Sequence, residues 1–362
     1  MQPDVSVFSE RIARLRSELS GFCVDALLFF DMKNIRYLTG FTGSDGAFLL
    51  GRSRQTLMVD GRYTNQAKRE VDALDVFEYK EKVDGIIANV TGNGMKDIGF
   101  ESTAMNVHTY LKLQERVLGM TFKPLSDAMA GIRTIKDAEE VDCIKKAADI
   151  ACHAMSDVRD SIKLGVREKD IALELEFRMG RRGAEQMAFP TIVASGPNTS
   201  LPHAKPGSRR IEDGDLVMID FGAVWNGYHS DETWTFAVGH GDDKQKEVYA
   251  VVKEAHDRAL EAVRPGVSCQ AVDHVARSVI ESRSLGKYFS HSTGHGVGLD
   301  VHEAPRIAVT SEHILKAGMV VTIEPGVYIP NLWGIRIEDM VLVTENGCEV
   351  LTNMPKTFTV LN

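Results

Sequence analysis

Cysteine is sparse and scattered: Cys23, Cys143, Cys152, Cys269 and Cys348 are odd in number, widely spread and contain no C-x-x-C pair. This pattern excludes a disulfide framework and a zinc knuckle, and fits reduced thiols in a cytoplasm. A net basic balance is also missing. The 362 residues carry a formal charge of -9, which argues against sequence-independent nucleic-acid binding, because releasing phosphate counterions needs a positive face. No window holds 18 uninterrupted apolar residues, so no membrane-spanning helix is expected. The opening MQPDVSVFSERIARLRSEL places charges every few residues and has no apolar h-region; it reads as a surface helix and not as a signal peptide. Short-period repeats and low-complexity tracts are absent as well. These absences together lead us to expect a soluble cytoplasmic protein that binds neither nucleic acid nor membrane.

What is present is an ordinary globular composition, 43% hydrophobic and 26% charged, at a length that favours two domains. Ile12, Leu15 and Leu19 mark one face of an amphipathic helix, and residues 26–30 form an apolar run typical of a buried strand. Strand-like and helical stretches alternate onward through residues 46–50, 56–59, 97–100 and 107–117, so residues 1–128 are expected to form an α/β domain. A long helical pattern then places Val141, Ile144, Ala148, Ala151 and Met155 on one face, and a second helix covers residues 168–179. Strand patterns follow at residues 191–194, 216–221, 228–238, 320–324 and 335–344. Residues 129–362 therefore read as an α+β domain with hairpins.

That second half holds four carboxylates and one imidazole in positions that suit metal: Asp220, Asp231, His295, Glu324 and Glu338. A single zinc is satisfied by three or four ligands rich in His or Cys, whereas four carboxylates have the charge and lone pairs to hold two oxygen-preferring divalent ions. In LVMIDFGAVWNGYHSDETWTF, Asn226-Gly227 is a strong hairpin signal, since both residues tolerate the positive φ of a type I′ turn. Folding the chain there opposes Asp220 to Thr233, Phe221 to Glu232 and Gly222 to Asp231. Asp220 and Asp231 become diagonal neighbours on one face, about 7 Å apart at the backbone, where like charges repel unless a cation lies between them. The alternative is a pair of solvated acids, against which Val217, Ile219, Phe221, Trp234 and Phe236 make the ribbon too apolar for a simple surface hairpin.

Glu324 ends the apolar run MVVTIEPG, before a turn expected at Pro325-Gly326, and Glu338 sits inside GIRIEDMVLV. An acid within an apolar strand must be paired or bound to metal; the competing reading is a salt bridge between Glu338 and Arg336. His291, His295 and His302 cluster in HSTGHGVGLDVH. The glycines there do not have dinucleotide-loop spacing, and Arg306 stands where an H-E-x-x-H helix would need its second His. They are expected instead to let the backbone pass close to a metal or substrate. His229 points away from Asp231 by strand alternation and is expected to be structural.

With these residues in place, the chain resembles the pita-bread metallopeptidases of family M24, in their proline-specific branch of Xaa-Pro dipeptidase (prolidase) and aminopeptidase P. The segments IDFGAVWNGYHSDETWTF, HSTGHGVGLDVHEAPR, TIEPGVY and GIRIEDMVLV carry the resemblance in the second half, and YLTGFTGSDGAFLL and VDGRYTNQA resemble a creatinase/prolidase-type N-terminal domain. The resemblance implies a pita-bread catalytic domain behind that smaller domain, and two divalent ions per chain, manganese before cobalt or zinc. In it Asp220 binds one ion, Asp231 and Glu338 bridge both, and His295 and Glu324 complete the second. It further implies that His203, His291 and His302 serve substrate and transition state, that Glu324 also moves protons, and that the protein is a homodimer acting on small proline-containing peptides. Arg306 is the cation expected to pair with a dipeptide's C-terminal carboxylate; Arg336 serves the same end or holds Glu338 and its neighbours. Tyr228, which opens the second hairpin strand, is counted with the substrate-binding residues. Aminopeptidase P, acting on longer Xaa-Pro peptides, is the alternative activity. A non-enzymatic binding module of the same fold would show lost ligands, and none is lost.

Overall fold

In the computed structural model, which describes residues 5–91, 94–125 and 130–362, the short apolar runs become strands and the amphipathic stretches become helices. The chain divides into two compact units, Met1–Arg133 and Thr134–Asn362. The expected boundary between residues 128 and 129 lies outside the described residues.

In the first unit the helix Val5–Glu18 buries Ile12 and Leu15, and Leu19 just beyond it is buried too. Six strands form one mixed sheet in the order Asp75–Tyr79, Gln55–Asp60, Ala47–Gly51, Ala26–Phe29, Asp97–Glu101, Thr121–Leu125. All four residues of Ala26–Phe29 are buried, as a strand covered on both faces requires.

The second unit sets two pairs of helices against antiparallel strands. Helix Ala138–Val158 starts from a capping box in which Asp137 and Glu140 satisfy each other's backbone N–H groups. With Glu168–Arg181 it covers a core that includes Phe221, Trp234 and Phe236. The helices Asp243–Ala262 and Cys269–Ser282 cover a second core that includes Val321, Ile323, Ile335 and Val341. Trp234 and Phe236 thus face a helix pair, leaving the opposite face of their strand for polar groups.

Asn226 and Gly227 have φ values of 47° and 77°, and the hairpin folds in the expected register, Thr233 opposite Asp220 and Glu232 opposite Phe221. One expectation is corrected here. The chain does not turn after Glu324: it leaves the strand Val320–Ile323 and runs on into a second strand, Gly326–Ile329, in a different sheet. The glycines flanking His295 are also needed by the neighbouring strands. A Cβ on Gly294 would lie 1.9 Å from the Thr322 carbonyl oxygen, and one on Gly296 2.3 Å from that of Ala304. Gly294→Ala is therefore expected to cost about 1–3 kcal/mol through overpacking, read as a fall of several degrees in Tm; an unchanged Tm would mean that these strands yield easily.

Candidate metal centre

Two hairpins carry the acids. In the first, Asp220 lies opposite Thr233, and Asp231 follows on the same face. In the second, Ile323 pairs with Asp339 and Gly326 with Arg336 in one continuous register, which sets Glu324 opposite Glu338. Threonines on the first hairpin join the two. Thr233 Oγ1 donates to Glu338 Oε2 at 2.6 Å and accepts from Arg336 Nε at 2.9 Å, while Thr235 Oγ1 donates to the Arg336 carbonyl at 2.7 Å.

Arg336 is 3% exposed, and its partner is Asp220, whose Oδ2 accepts from Nη2 at 2.5 Å. The competing reading of a salt bridge between Arg336 and Glu338 thus gives way to one with Asp220 on the first hairpin. Arg336 Nη1 donates to the Pro202 carbonyl at 3.1 Å, next to His203, and to the Tyr328 hydroxyl at 3.0 Å. That hydroxyl donates in turn to His291 Nε2 at 2.9 Å, and His291 Nδ1 donates to the Ser292 carbonyl at 2.7 Å. Both nitrogens of His291 are therefore engaged within the protein.

His295 donates through Nδ1 to the Gly296 carbonyl at 3.1 Å, which leaves its Nε2 lone pair directed at the acids. Nε2 lies 3.5 Å from Asp231 Oδ2 and 3.4 Å from Glu324 Oε1. Asp231, His295 and Glu338 offer ligand atoms within 4.8 Å of one another. Among the described residues Asp220 Oδ1 is buried with no hydrogen-bond partner, a costly state for a carboxylate oxygen that a cation relieves. The donor set and this orphaned oxygen both fit hard divalent ions.

All five of these residues line one cavity of about 640 Å³, together with His203, His291, His302, Arg306 and Arg336. The cavity also has an apolar wall of Phe189, Pro190 and Ile192. The His302 ring lies 4.2 Å from that of His295 between centroids, and Glu303 just after it is tied down by buried Lys136 at 2.6 Å.

Tyr228 is not among the lining residues. Its hydroxyl donates to Glu140 Oε1 at 2.9 Å, at the start of helix Ala138–Val158, so it anchors a helix instead of meeting substrate. The tyrosine tied into the site is Tyr328, which the sequence reading missed. A signal existed: Glu324, Gly326 and Tyr328 share one face at strand period, but the turn expected at Pro325-Gly326 hid it. His229 is structural, its backbone N–H and its ring both meeting the Gly298 carbonyl.

Burial first, and then the neighbouring carboxylates, push Asp231 and Glu338 well above the ordinary carboxylate range. Glu324 is raised by burial, against the opposing pull of His291 and Arg336. Burial lowers His291, His295 and His302, which keeps the rings neutral. Burial also pushes Tyr328 up to about 12, so it stays a donor.

Comparison with known proteins places this architecture among metal-dependent peptidases. The model of Metallopeptidase family M24 matches residues 142–345, and that of the Creatinase/Prolidase N-terminal domain matches residues 11–135. The chain belongs to metallopeptidase family M24, and its second unit has the pita-bread fold. It is 38% identical over 345 residues to an Xaa-Pro dipeptidase of Pyrococcus furiosus, covering 95% of this chain and 97% of that one. The structure of an Xaa-Pro dipeptidase from Bacillus anthracis superposes with a TM-score of 0.95 at 38% identity, covering 98% of this chain and all of that chain. An X-Pro aminopeptidase from Thermotoga maritima superposes with a TM-score of 0.89 at 36% identity, covering 97% and 99%.

The raised acids give the centre a definite pH behaviour. In metal-free protein their contribution to stability is present below the ordinary carboxylate range and is lost as pH rises through their raised pKa values. A divalent ion held by these acids would take the place of those protons and would have to displace them to bind. The rise in Tm given by saturating Mn2+ is thus expected to be larger at about pH 7.5 than at about pH 5; equal increments at both would mean that these acids do not hold the ion.

Proposed function

We propose that the protein is a dinuclear Xaa-Pro metallopeptidase that prefers dipeptides, uses Mn2+, and works as a cytoplasmic homodimer with domains at residues 1–128 and 129–362. The observation that carries this reading is the convergence of Asp220, Asp231, His295, Glu324 and Glu338 on one cavity. The same oxygen-rich set would also take cobalt or zinc, with ion availability deciding among them. No helix among the described residues is long and apolar enough to cross a membrane.

In this reading Asp220, Asp231, His295, Glu324 and Glu338 would hold the ion pair, with Asp231 and Glu338 as the ligands common to both, and the pair would supply an acidified water and positive charge beside the scissile carbonyl. Glu324 accepts the proton released in the attack and passes it to the leaving nitrogen, since it lines the cavity beside the other acids. His302, whose ring makes no hydrogen bond among the described residues, donates to the carbonyl oxygen, and His203 orients the substrate. His291, with both nitrogens taken, keeps Tyr328 and Arg336 in place. An Xaa-Pro bond is a tertiary amide without N–H, so the grip falls on its carbonyl and on its ring, for which Phe189, Pro190 and Ile192 provide an apolar wall.

Arg306 lines the cavity, is exposed, and makes no ion pair among the described residues, which suits it to a substrate's C-terminal carboxylate. Aminopeptidase P activity is the second reading, supported by the likeness to the Thermotoga maritima enzyme. Metal-stripped protein should regain Ala-Pro cleavage on adding Mn2+, at about two ions per chain. Preference for Ala-Pro-Ala would assign an aminopeptidase P, and no turnover of either with two ions bound would contradict the proline reading. Arg306→Ala should lower kcat/KM for Ala-Pro roughly 10–100-fold, the worth of a charge-assisted hydrogen bond, and leave Ala-Pro-Ala much less affected. Equal losses on both substrates would remove Arg306 from carboxylate recognition.

A further inference from the structure

Behind the metal centre lies a second group of buried charges that the reaction does not use. Side chains alternate along a strand, so Glu232 and Asp339, each one residue beyond Asp231 and Glu338, turn away from the cavity toward the helices. They belong to strands of different sheets, Glu232–Val238 and Asp339–Val343. One side chain joins them. Lys356, from the segment that follows the last long strand pair, places Nζ 2.5 Å from Glu232 Oε1 and 3.3 Å from Asp339 Oδ1.

Each carboxylate is held on further sides. Cys152 on helix Ala138–Val158 donates its thiol to Glu232 Oε2 at 2.8 Å, and the Met354 N–H reaches Glu232 Oε1 at 2.9 Å. Thr352 Oγ1 donates to Asp339 Oδ1 at 2.6 Å, and His256 Nε2 on helix Asp243–Ala262 lies 3.1 Å from Asp339 Oδ2. Glu232 and Asp339 are 1% and 4% exposed. Three charges this deep gain little net stability from one another, because desolvation offsets their attraction. What such a tie does supply is a fixed distance between two strands that no backbone ladder connects.

We propose that Lys356 is a positioning residue for the metal centre: by gripping Glu232 and Asp339 from behind, it sets the spacing of Asp231 and Glu338. The inference rests on the reading of those two acids as the ligands shared by both ions. Shared ligands must be placed within about 0.5 Å to serve two ions at once, so a relaxed tie weakens the second ion before the first. Removing outer partners of metal ligands costs about 10–100-fold in metal affinity.

The test titrates metal-free, full-length protein with Mn2+, counting bound ions by equilibrium dialysis and following the exchange-coupled electron paramagnetic resonance signal of an ion pair. Wild type, Lys356→Met and Lys356→Arg are compared, with thermal unfolding of each metal-free form alongside. Wild type should bind two ions and give the coupled signal. Lys356→Met should bind the first ion within about threefold of wild type and the second about 10–100-fold more weakly, with the coupled signal diminished, and Lys356→Arg should recover most of the loss. A general loss of stability would not by itself separate the two ions. If Lys356→Met does not fold, the double variant Glu232→Gln, Lys356→Met, which removes one charge of each sign, is judged by the same criterion. Two ions bound with unchanged affinities and an undiminished coupled signal in the variant would overturn the inference alone. Failure of wild type to bind two ions would overturn the metal-centre reading and this inference with it.

Discussion

Four carboxylates crowded into one cavity repel one another, and the second unit is arranged around that repulsion. Arg336 offsets the charge of Asp220, and threonine hydroxyls reach Glu338 and the Arg336 backbone. The remaining acids respond by holding protons above the ordinary carboxylate range. Divalent ions supply the missing positive charge, and the binding energy returned on loading is also folding energy. The stability cost of assembling the acids is thus the other face of their affinity for metal.

The two hairpins divide this work in a way that links fold to chemistry. Each strand turns one face to a helix pair and the other to the cavity, so the cores that include Trp234 and Ile323 hold the ribbons from which the acids project. The same alternation puts Glu232 and Asp339 on the helix side, where Lys356 ties them. In the proposed reading, ligand geometry is held from both faces: by Arg336 and Thr233 on the side of the cavity, and by a charged tie behind it.

Local chemistry made much of this legible in the sequence. Asn226-Gly227 fixes a two-residue turn, and strand period then dictates that Thr233 opposes Asp220 with Asp231 on the same face. The position of His295 between glycines was visible, but the demand of the neighbouring strands on them was not, since the carbonyls of Thr322 and Ala304 that crowd them come from other strands. Arg336 met Asp220 instead of Glu338 because its partner depends on how two hairpins face each other, which no local pattern encodes. Tyr228 and Tyr328 were exchanged for the same kind of reason. A Pro-Gly pair normally signals a turn, yet here it joins two strands of different sheets, and the extended backbone carries Tyr328 to His291.

The central claim is that two ions share Asp231 and Glu338. Crystals of the protein grown with Mn2+ and measured at the manganese absorption edge would test it most directly. The account predicts two anomalous peaks in each cavity, one contacting Asp220, the other contacting His295 and Glu324, and both contacting Asp231 and Glu338. A single peak under saturating metal, or two peaks that share neither acid, would contradict it.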